Sequence, residues 1–275
     1  MKKTAIIIGI SSDIGYELAV RLAKDGWEIW GTYRTKPSFS FLKGINIFPC
    51  DVLDISTRQS FLQHLKKNNI SWDLFIIATG TEEPIGNFWD SSEEVWNESI
   101  RVNALAPLGM IRDLYLLRNT AQISSVVFFS GSGTNNAAPA YSAYCASKIM
   151  LIKMCELLDA ESPDIQFFII GPGIVRTKIH EQTLKEPVKS GPNYLKLMKF
   201  LDSGSPGTSH QEIFECLMWC MHQGKAVIGG RNISLVYDAW RVEGGVSLSN
   251  ALKEDLDMYK LRRFGNDINV NMDKI

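Results

Sequence analysis

The chain has 275 residues, of which 45% are hydrophobic and 21% charged, and its formal net charge at pH 7 is −1. This length suffices for one large α/β domain or two small ones, and these proportions are ordinary for a globular protein. A net charge near zero provides no basic field, so we expect neither nucleic acid nor a membrane as a partner. The five cysteines form no CxxC pair, which suits a reducing, cytoplasmic location better than a disulfide scaffold.

The first predicted elements are a strand, a turn of small residues and a helix. The apolar run from Ala5 to Ile8 is too short for a signal segment or a membrane span, and it predicts a buried strand. The turn Gly9–Gly15 and an amphipathic helix from Tyr16 to Lys24 follow. Glycines let the backbone approach a pyrophosphate, which free N–H groups at a helix N-terminus bind, although an ordinary tight turn is the alternative. The candidate phosphate-binding residues are Gly9, Ser11, Ser12, Asp13, Ile14 and Gly15.

The residues after the second predicted strand, Trp27 to Thr32, bear on the choice of cofactor. A site specific for NAD usually has an acidic residue here, which binds the ribose 2′-hydroxyl. This chain has Arg34 and Lys36 instead, and a guanidinium near an ammonium suits a 2′-phosphate. Arg34 therefore predicts NADP(H) over NAD(H), and the alternative is a solvated basic loop.

Two more strands are predicted, at Ile45–Pro49 and Asp73–Ala78. Asp51-Val52 follows the first of them. The Asp51 carboxylate can accept a hydrogen bond from an adenine amino group, or it can cap the helix predicted from Thr57 to Asn68.

A long helix is predicted from Glu93 to Leu117, and Asn103 lies in its interior. An amide there competes for backbone hydrogen bonds, so Asn103 is a candidate for a helix distortion or a site role, or it is a tolerated polar residue. The strand Ser125–Phe129 comes next and ends in the serines and glycines of residues 130–133. Small hydroxyl residues at the carboxyl end of a strand lie where open α/β sheets place their ligands.

The most informative chemical pair is Tyr144 and Lys148. These residues are four apart on the next predicted helix, which runs to about Ala160, so they share one face of it. We expect the ammonium to lower the phenol pKa from about 10 toward neutrality. Such a tyrosine gives or takes a proton at a carbonyl or alcohol oxygen, whereas the alternative is a solvated helix face.

The remaining pattern predicts a strand at Ile165–Ile170, an apolar helix at Gln211–His222 and a last strand at Ala226–Val236. Residues 178–210 are rich in Gly, Pro, Lys and Ser, which predicts a mobile loop with short helices that serves as a substrate lid. Residues 237–275 predict an irregular C-terminal extension. Cys216 and Cys220 lie on the apolar helix without an evident fourth ligand, so we expect core packing there and no metal site.

Strands that alternate with helices predict an α/β fold. We expect a single Rossmann-type domain over residues 1–275, with a doubly wound parallel sheet of about seven strands and helices on both faces. No linker or break in composition indicates a domain boundary.

The ordered set of motifs resembles the classical short-chain dehydrogenase/reductase family over nearly the whole chain. The matching positions are the turn Gly9–Gly15, the pair Asp51-Val52, Asn103, Ser130 or Ser132, Tyr144 with Lys148, and Pro172-Gly173 with Thr177. Three positions depart from the family pattern. Ile8 replaces a threonine, Asp13 replaces the middle glycine of the turn, and the family's spacing from serine to tyrosine falls on Gly131. We favour Ser130 over Ser132 because it directly continues the strand.

The resemblance implies hydride transfer between NADP(H) and a ketone or secondary alcohol. Tyr144 would exchange the proton. Lys148 would lower the pKa of Tyr144 and hold the nicotinamide ribose, and a serine would bind the carbonyl oxygen. Asn103 would hold a water that links Lys148 to solvent. The cofactor-binding residues implied beyond the first turn are Arg34, Asp51, Val52, Ala78, Gly80, Tyr144, Lys148, Pro172, Gly173, Val175 and Thr177.

The resemblance also implies a homodimer or homotetramer that acts on a small-molecule carbonyl or alcohol. Two other functions remain open on this scaffold. One is a non-enzymatic protein that senses the cofactor or serves in assembly, which the retained Tyr144 and Lys148 disfavour. The other is an enzyme that modifies a nucleotide sugar, which the short chain disfavours.

Overall fold

The structure is a computed structural model, and it describes residues 2–37 and 43–263. Within these residues seven strands form one sheet, in the order β3-β2-β1-β4-β5-β6-β7, and every neighbouring pair is parallel. The strands are β1 (Thr4–Ile8), β2 (Glu28–Tyr33), β3 (Ile45–Pro49), β4 (Leu74–Ile77), β5 (Ser124–Phe129), β6 (Ile165–Gly171) and β7 (Asn232–Ser234).

Helices connect the strands and cover both faces of the sheet. They are α1 (Asp13–Lys24), α2 (Ile55–Lys67), α3 (Glu93–Ile100), α4 (Ala106–Leu114), α5 (Ser142–Glu161), α6 (His180–Lys185), α7 (Pro187–Ser190), α8 (Pro192–Asp202), α9 (His210–Gln223), α10 (Lys225–Ile228) and α11 (Val246–Glu254). A π-helical segment, Arg101–Leu105, joins α3 to α4, and short 3₁₀ segments lie at Phe88–Asp90, Tyr115–Leu117 and Val242–Gly245. No helix in the described ranges is both long and apolar enough to cross a membrane.

The sheet is buried on both faces, as a parallel sheet between helices must be. Alternate residues of β1 illustrate this: Ala5 and Ile7 pack toward α1, α9, α10 and α11, while Ile6 and Ile8 pack toward α2, α4 and α5. All four side chains are fully buried. The doubly wound α/β fold predicted from the sequence is therefore confirmed.

The winding of the sheet reverses between β1 and β4. The chain leaves β1 for β2 and β3 on one side and then returns to form β4 on the other. Ile8, the last residue of β1, pairs with Thr32 of β2 and with Ile77 of β4, so the turns after these strands lie side by side. Open α/β sheets bind their ligands in the crevice at such a reversal point.

The C-terminal part departs from two predictions. Ala226–Val236 was predicted as one strand, but the chain forms α10 first, and β7 spans only Asn232–Ser234. Val227 and Ile228 are buried core residues, so their apolar pattern belongs to a packed helix turn. Residues 237–275 were predicted to be irregular, but α11 lies within them because Leu248 and Leu252, one helical turn apart, pack into the core. Residues 264–275 lie outside the described residues.

Candidate active site

The turn after β1 has the tight geometry that its glycines predict. Gly9 has a φ of +81°, and a Cβ built there would lie 2.9 Å from the Thr79 side chain. A Cβ on Gly15 would lie 2.5 Å from the Gly9 carbonyl oxygen. Ser12 caps α1, since its Oγ accepts a hydrogen bond of 3.0 Å from the Gly15 backbone N–H. Larger residues at these two glycines would push the α1 N-terminus away from the crevice.

The Asp13 carboxylate binds the segment that follows β6. It accepts a hydrogen bond of 2.7 Å from the Lys178 backbone N–H. The Lys178 ammonium returns to the same turn and donates to the Ser11 carbonyl at 2.6 Å. The negative charge at the position of the family's middle glycine is thus directed at Lys178.

A cavity of about 630 Å³ opens beside this turn, at the reversal point of the sheet. It is bounded by the turns after β1, β2, β3 and β4 and by α3. The predicted cofactor residues that line it are Gly9, Ser11, Ser12, Arg34, Asp51, Val52, Ala78 and Gly80. The sequence analysis did not assign a role to the lining residues Thr32, Cys50, Thr79, Thr81, Glu83, Val95, Glu98, Ser99, Val102, Lys178 and Gln182.

The cavity fits a dinucleotide at its adenosine end. Residues 33–37, which line it after β2, include Arg34 and Lys36 and no acid. Asp54, not Asp51, is the N-cap of α2, with its carboxylate 2.8 Å from the Ser56 N–H. Asp51 lines the cavity, and one of its carboxylate oxygens accepts a hydrogen bond of 2.9 Å from the Leu53 N–H. The capping alternative for Asp51 is therefore wrong.

Tyr144 and Lys148 lie together on α5, next to the end of β5. Their exposed fractions are only 8% and 6%. The Lys148 ammonium donates a hydrogen bond of 2.9 Å to the Phe129 carbonyl and lies 5.5 Å from the centre of the Tyr144 ring. The pair therefore occupies the interior of the site, and the solvated-face alternative is wrong.

The expected direction of the tyrosine shift is also wrong. Burial and the nearby Glu82 carboxylate raise the pKa of Tyr144 above its usual value. Burial lowers the pKa of Lys148 to about 8. In each case loss of water disfavours the charged form, and the ammonium bonds to a carbonyl rather than to the phenol oxygen, so desolvation dominates.

The structure separates the two candidate serines without placing either against the tyrosine. Ser130 is buried, and its Oγ would lie 3.0 Å from a Cβ on Gly171 of β6. Ser132 is exposed, and its carbonyl lies 3.7 Å from the Cys145 sulfur. The Tyr144 hydroxyl instead packs on Gly131, where an added Cβ would overlap with it. Glycine at the family's serine position therefore makes room for the tyrosine hydroxyl.

Asn103 lies in the π-helical segment between α3 and α4, as the predicted helix distortion requires. Its side chain is fully buried and pairs with the backbone of Thr81. The amide oxygen accepts from the Thr81 N–H at 2.8 Å, and the amide nitrogen donates to the Thr81 carbonyl at 2.9 Å. This pairing fixes the loop after β4 beside the crevice.

The predicted cofactor residues directly after β6 lie apart from the cavity, although Lys178 and Gln182, further along the same segment, line it. Gly173 has a φ of +74°, and Val175 is buried in the core on the side of α9. Pro172, Gly173, Val175 and Thr177 do not line the cavity described above. The structure thus gathers the predicted adenosine-side residues in one cavity and the Tyr144–Lys148 pair next to it.

Sequence reasoning missed a cluster of side chains near Tyr144. Glu82, Tyr141 and Thr183 are buried together, and Gln182 holds the same region through the Glu82 backbone N–H at 2.7 Å. Glu82 and Thr183 are 101 residues apart, so no local pattern signals their contact.

Comparison with known proteins gives one family. A model of the short chain dehydrogenase family matches residues 3–187. An uncharacterized oxidoreductase of Schizosaccharomyces pombe is 25% identical over 210 residues, which cover 72% of this chain and 83% of that protein. The human dehydrogenase/reductase SDR family member 4 is 23% identical over 206 residues, with 68% and 74% covered.

Solved structures with the same fold carry both nicotinamide cofactors. An actinorhodin polyketide ketoreductase with NADPH superposes with a TM-score of 0.72 at 16% identity, covering 85% of this chain and 95% of its own. A 4-hydroxyisoleucine dehydrogenase with NADH has a TM-score of 0.70 at 20% identity and covers 85% and 96%. These similarities establish the fold. Since one structure holds NADPH and the other NADH, they do not distinguish between the two cofactors for this chain.

Proposed function

The chain belongs to the short-chain dehydrogenase family, and from this premise we propose that it transfers hydride between NADP(H) and a ketone or secondary alcohol. Its family makes it an oxidoreductase that uses a nicotinamide cofactor and acts on small molecules. The observation that carries the proposal is the buried pair of Tyr144 and Lys148 beside a cavity that fits the adenosine end of a dinucleotide.

Tyr144 supplies the proton in the direction of reduction. When bound, the cofactor would supply a hydride, which is two electrons and one proton, for the carbonyl carbon. Tyr144 then donates its hydroxyl proton to the carbonyl oxygen, so that the ketone becomes an alcohol. The phenol of Tyr144 is protonated at neutral pH, as an acid must be before it donates, and the raised pKa makes it a weaker acid than a phenol in water.

Lys148 and Asn103 support this step from two sides. Lys148, whose pKa burial lowers to about 8, exchanges protons near neutral pH and so can restore the proton that Tyr144 gives up. Asn103 holds the loop after β4 in place through the Thr81 backbone. Of the two serines, Ser130 is the better candidate for the carbonyl oxygen, because it is buried at the end of β5 whereas Ser132 is exposed.

Arg34 carries the preference for NADP(H). It lines the cavity directly after β2 together with Lys36, and the run of residues 33–37 holds no carboxylate that would bind a ribose 2′-hydroxyl. A guanidinium in that position binds a 2′-phosphate through two parallel hydrogen bonds.

A paired titration with NADPH and NADH, read by energy transfer from tryptophan to the nicotinamide, tests the cofactor assignment. We expect NADPH to bind at least 10-fold more tightly than NADH, and Arg34→Ala to weaken NADPH by about 10-fold, the loss of about 1.4 kcal/mol of charge-assisted bonding, with no change for NADH. Lys66→Ala, which removes a cation at the far end of α2, is the matched control and should change the affinity for neither NADPH nor NADH. A tighter affinity for NADH would overturn the NADP(H) preference.

A further inference from the structure

Three side chains beside Tyr144 form a hydrogen-bonded chain. The Thr183 hydroxyl donates to the Glu82 carboxylate at 2.8 Å, and the Tyr141 hydroxyl lies 2.6 Å from Thr183. Since Thr183 gives its one hydrogen to Glu82, Tyr141 must donate to Thr183. We name this arrangement the Glu82 chain.

Each member of the Glu82 chain comes from a different loop at the carboxyl edge of the sheet. Glu82 follows β4, Tyr141 precedes α5, and Thr183 lies on α6. Their exposed fractions are 8%, 6% and 4%, so the chain is buried although it is made of polar groups. Tyr141 packs against Tyr144, so the Glu82 chain lies beside the residue that protonates the substrate in the proposed function.

The Glu82 carboxyl has no cationic partner within the described part of the chain. None of the salt bridges there includes it. His180 is close enough to act on it electrostatically, but the His180 ring nitrogen is bonded to the Val175 carbonyl at 2.9 Å. A buried carboxyl that lacks a cation is costly to a fold, and such groups concentrate at sites that bind or react.

Glu82 also acts on the reacting hydroxyl. Tyr144 packs in one cluster with Tyr141 and Ile85, and the Glu82 carboxylate contributes to the raised pKa of Tyr144. Tyr141 packs against Tyr144 and is bonded to Thr183, so a carbonyl oxygen bonded to Tyr144 would place the neighbouring carbon atoms of the substrate close to the Glu82 chain.

A carboxylate in this position selects substrates by what they can donate. Thr183 donates to one of the two carboxylate oxygens of Glu82, so a hydroxyl on the carbon beside the carbonyl can donate to the other. An alkyl group there would cover that second oxygen without donating to it, and a phosphate or carboxylate group would be repelled by it.

We propose that Glu82 is a specificity residue and that the substrate is a neutral hydroxy ketone, with its hydroxyl group next to the carbonyl that is reduced. This inference rests on the proposed function, since it assumes carbonyl reduction at Tyr144. The reaction it specifies converts a hydroxy ketone, NADPH and a proton into a vicinal diol and NADP⁺.

Matched pairs of ketones test the proposal through NADPH consumption. The pairs are 3-hydroxy-2-butanone against 2-butanone, and 2-hydroxycyclohexanone against cyclohexanone. We expect wild-type kcat/KM to favour the hydroxy ketone of each pair by about 100-fold or more, the selectivity typical of a site that hydrogen-bonds a substrate hydroxyl. In Glu82→Leu this ratio should fall below about 10-fold, and Glu82→Gln, which keeps an acceptor, should lie between.

Two controls separate recognition from folding. Glu181→Leu removes an exposed carboxylate from α6, the helix that carries Thr183, and it should leave the wild-type ratio intact. Thermal unfolding and NADPH titration of each variant report whether α6 and the cofactor site are preserved. Because the readout is a ratio between two substrates of one variant, a uniform loss of active protein does not change it.

Each outcome has a distinct meaning. An unchanged ratio in folded Glu82→Leu that binds NADPH would overturn the role of Glu82 and leave the Glu82 chain as a structural tie for α6. Failure to reduce any of these ketones, with NADPH binding intact, would overturn the hydroxy ketone assignment and keep the cofactor site. Failure to bind NADPH would overturn the proposed function itself.

Discussion

The carboxyl edge of the sheet has two unlike regions. One, the open side, is the cavity of about 630 Å³, whose wall carries Arg34 and Lys36 and also includes the turn after β4 and, from the segment after β6, Lys178 and Gln182. The other, the closed side, is the buried group of side chains around Tyr144, in which Tyr144, Lys148 and Glu82 are each less than a tenth exposed. The open side can keep its charges in contact with water for a phosphate, whereas on the closed side burial decides which protonation state each group prefers.

This contrast explains why the two sides respond differently to a charged neighbour. On the closed side, loss of water outweighs the attraction between Tyr144 and Lys148, so burial raises one pKa and lowers the other. A nearby cation alone therefore does not predict the direction in which the pKa of a buried tyrosine shifts.

The largest expected effect tests the closed side directly. Tyr144→Phe removes only the hydroxyl, so turnover should fall by about 10²-fold or more because the carbonyl oxygen loses its proton donor. NADPH affinity should remain unchanged, since the open cavity holds the adenosine. Steady-state kinetics combined with the fluorescence titration measures both.

Tyr115→Phe is the matched control for loss of a phenol hydroxyl. Tyr115 lies beyond the end of α4, where its ring contacts Arg118, and Phe preserves that contact. Near-normal turnover in Tyr144→Phe would contradict the assigned role and remove the functional distinction between the two sides.

The second prediction concerns Lys148 and the free energy of unfolding. Burial lowers the pKa of Lys148 from 10.5 to about 8, so the folded state holds fewer protons than the unfolded state between these values. The stability contributed by this residue is therefore full above about pH 10.5 and is lost as pH falls toward about 8, with a total of about 3 kcal/mol.

Lys148→Met should abolish this increase, and denaturant unfolding of both proteins from pH 7.5 to pH 10 measures it. The pKa values are raised for the buried thiols of Cys50, Cys155 and Cys220 and for the partly buried Cys145, so these groups change stability in the opposite direction as pH rises. They are common to both proteins, so the difference between wild type and variant isolates Lys148. Parallel pH profiles would mean that Lys148 is not buried in the cationic state.

The sequence predicted what depends on neighbours in the chain. The turn from Gly9 to Gly15 and the helix that pairs Tyr144 with Lys148 are set by residues within a few positions of each other, and both form as predicted. The helix distortion at Asn103 was also predicted, but the Asn103 amide bonds the backbone of Thr81, 22 residues away, rather than the backbone of its own helix.

What the sequence could not predict depends on contacts between distant segments. Asp13 binds a backbone N–H that is 165 residues away, and Tyr141 meets Thr183 across 42 residues. The predicted direction of the Tyr144 pKa shift is wrong for the same reason, because burial depends on all the segments that pack around the residue. The end of β5 could be located, but the packing of the tyrosine hydroxyl on Gly131 could not.

The smallest expected effect is at Asp13. Its hydrogen bond to the Lys178 N–H links the turn after β1 to the segment that leads into α6. Asp13→Asn removes the charge but keeps an oxygen that can accept from the Lys178 N–H, whereas Asp13→Ala removes both. We therefore expect NADPH to bind about 2- to 5-fold more weakly to Asp13→Ala than to Asp13→Asn, since one partly exposed hydrogen bond contributes about 0.5 to 1 kcal/mol. Equal affinities in the fluorescence titration would mean that the segment after β6 holds its place without Asp13, and that the open cavity and the closed side do not depend on each other.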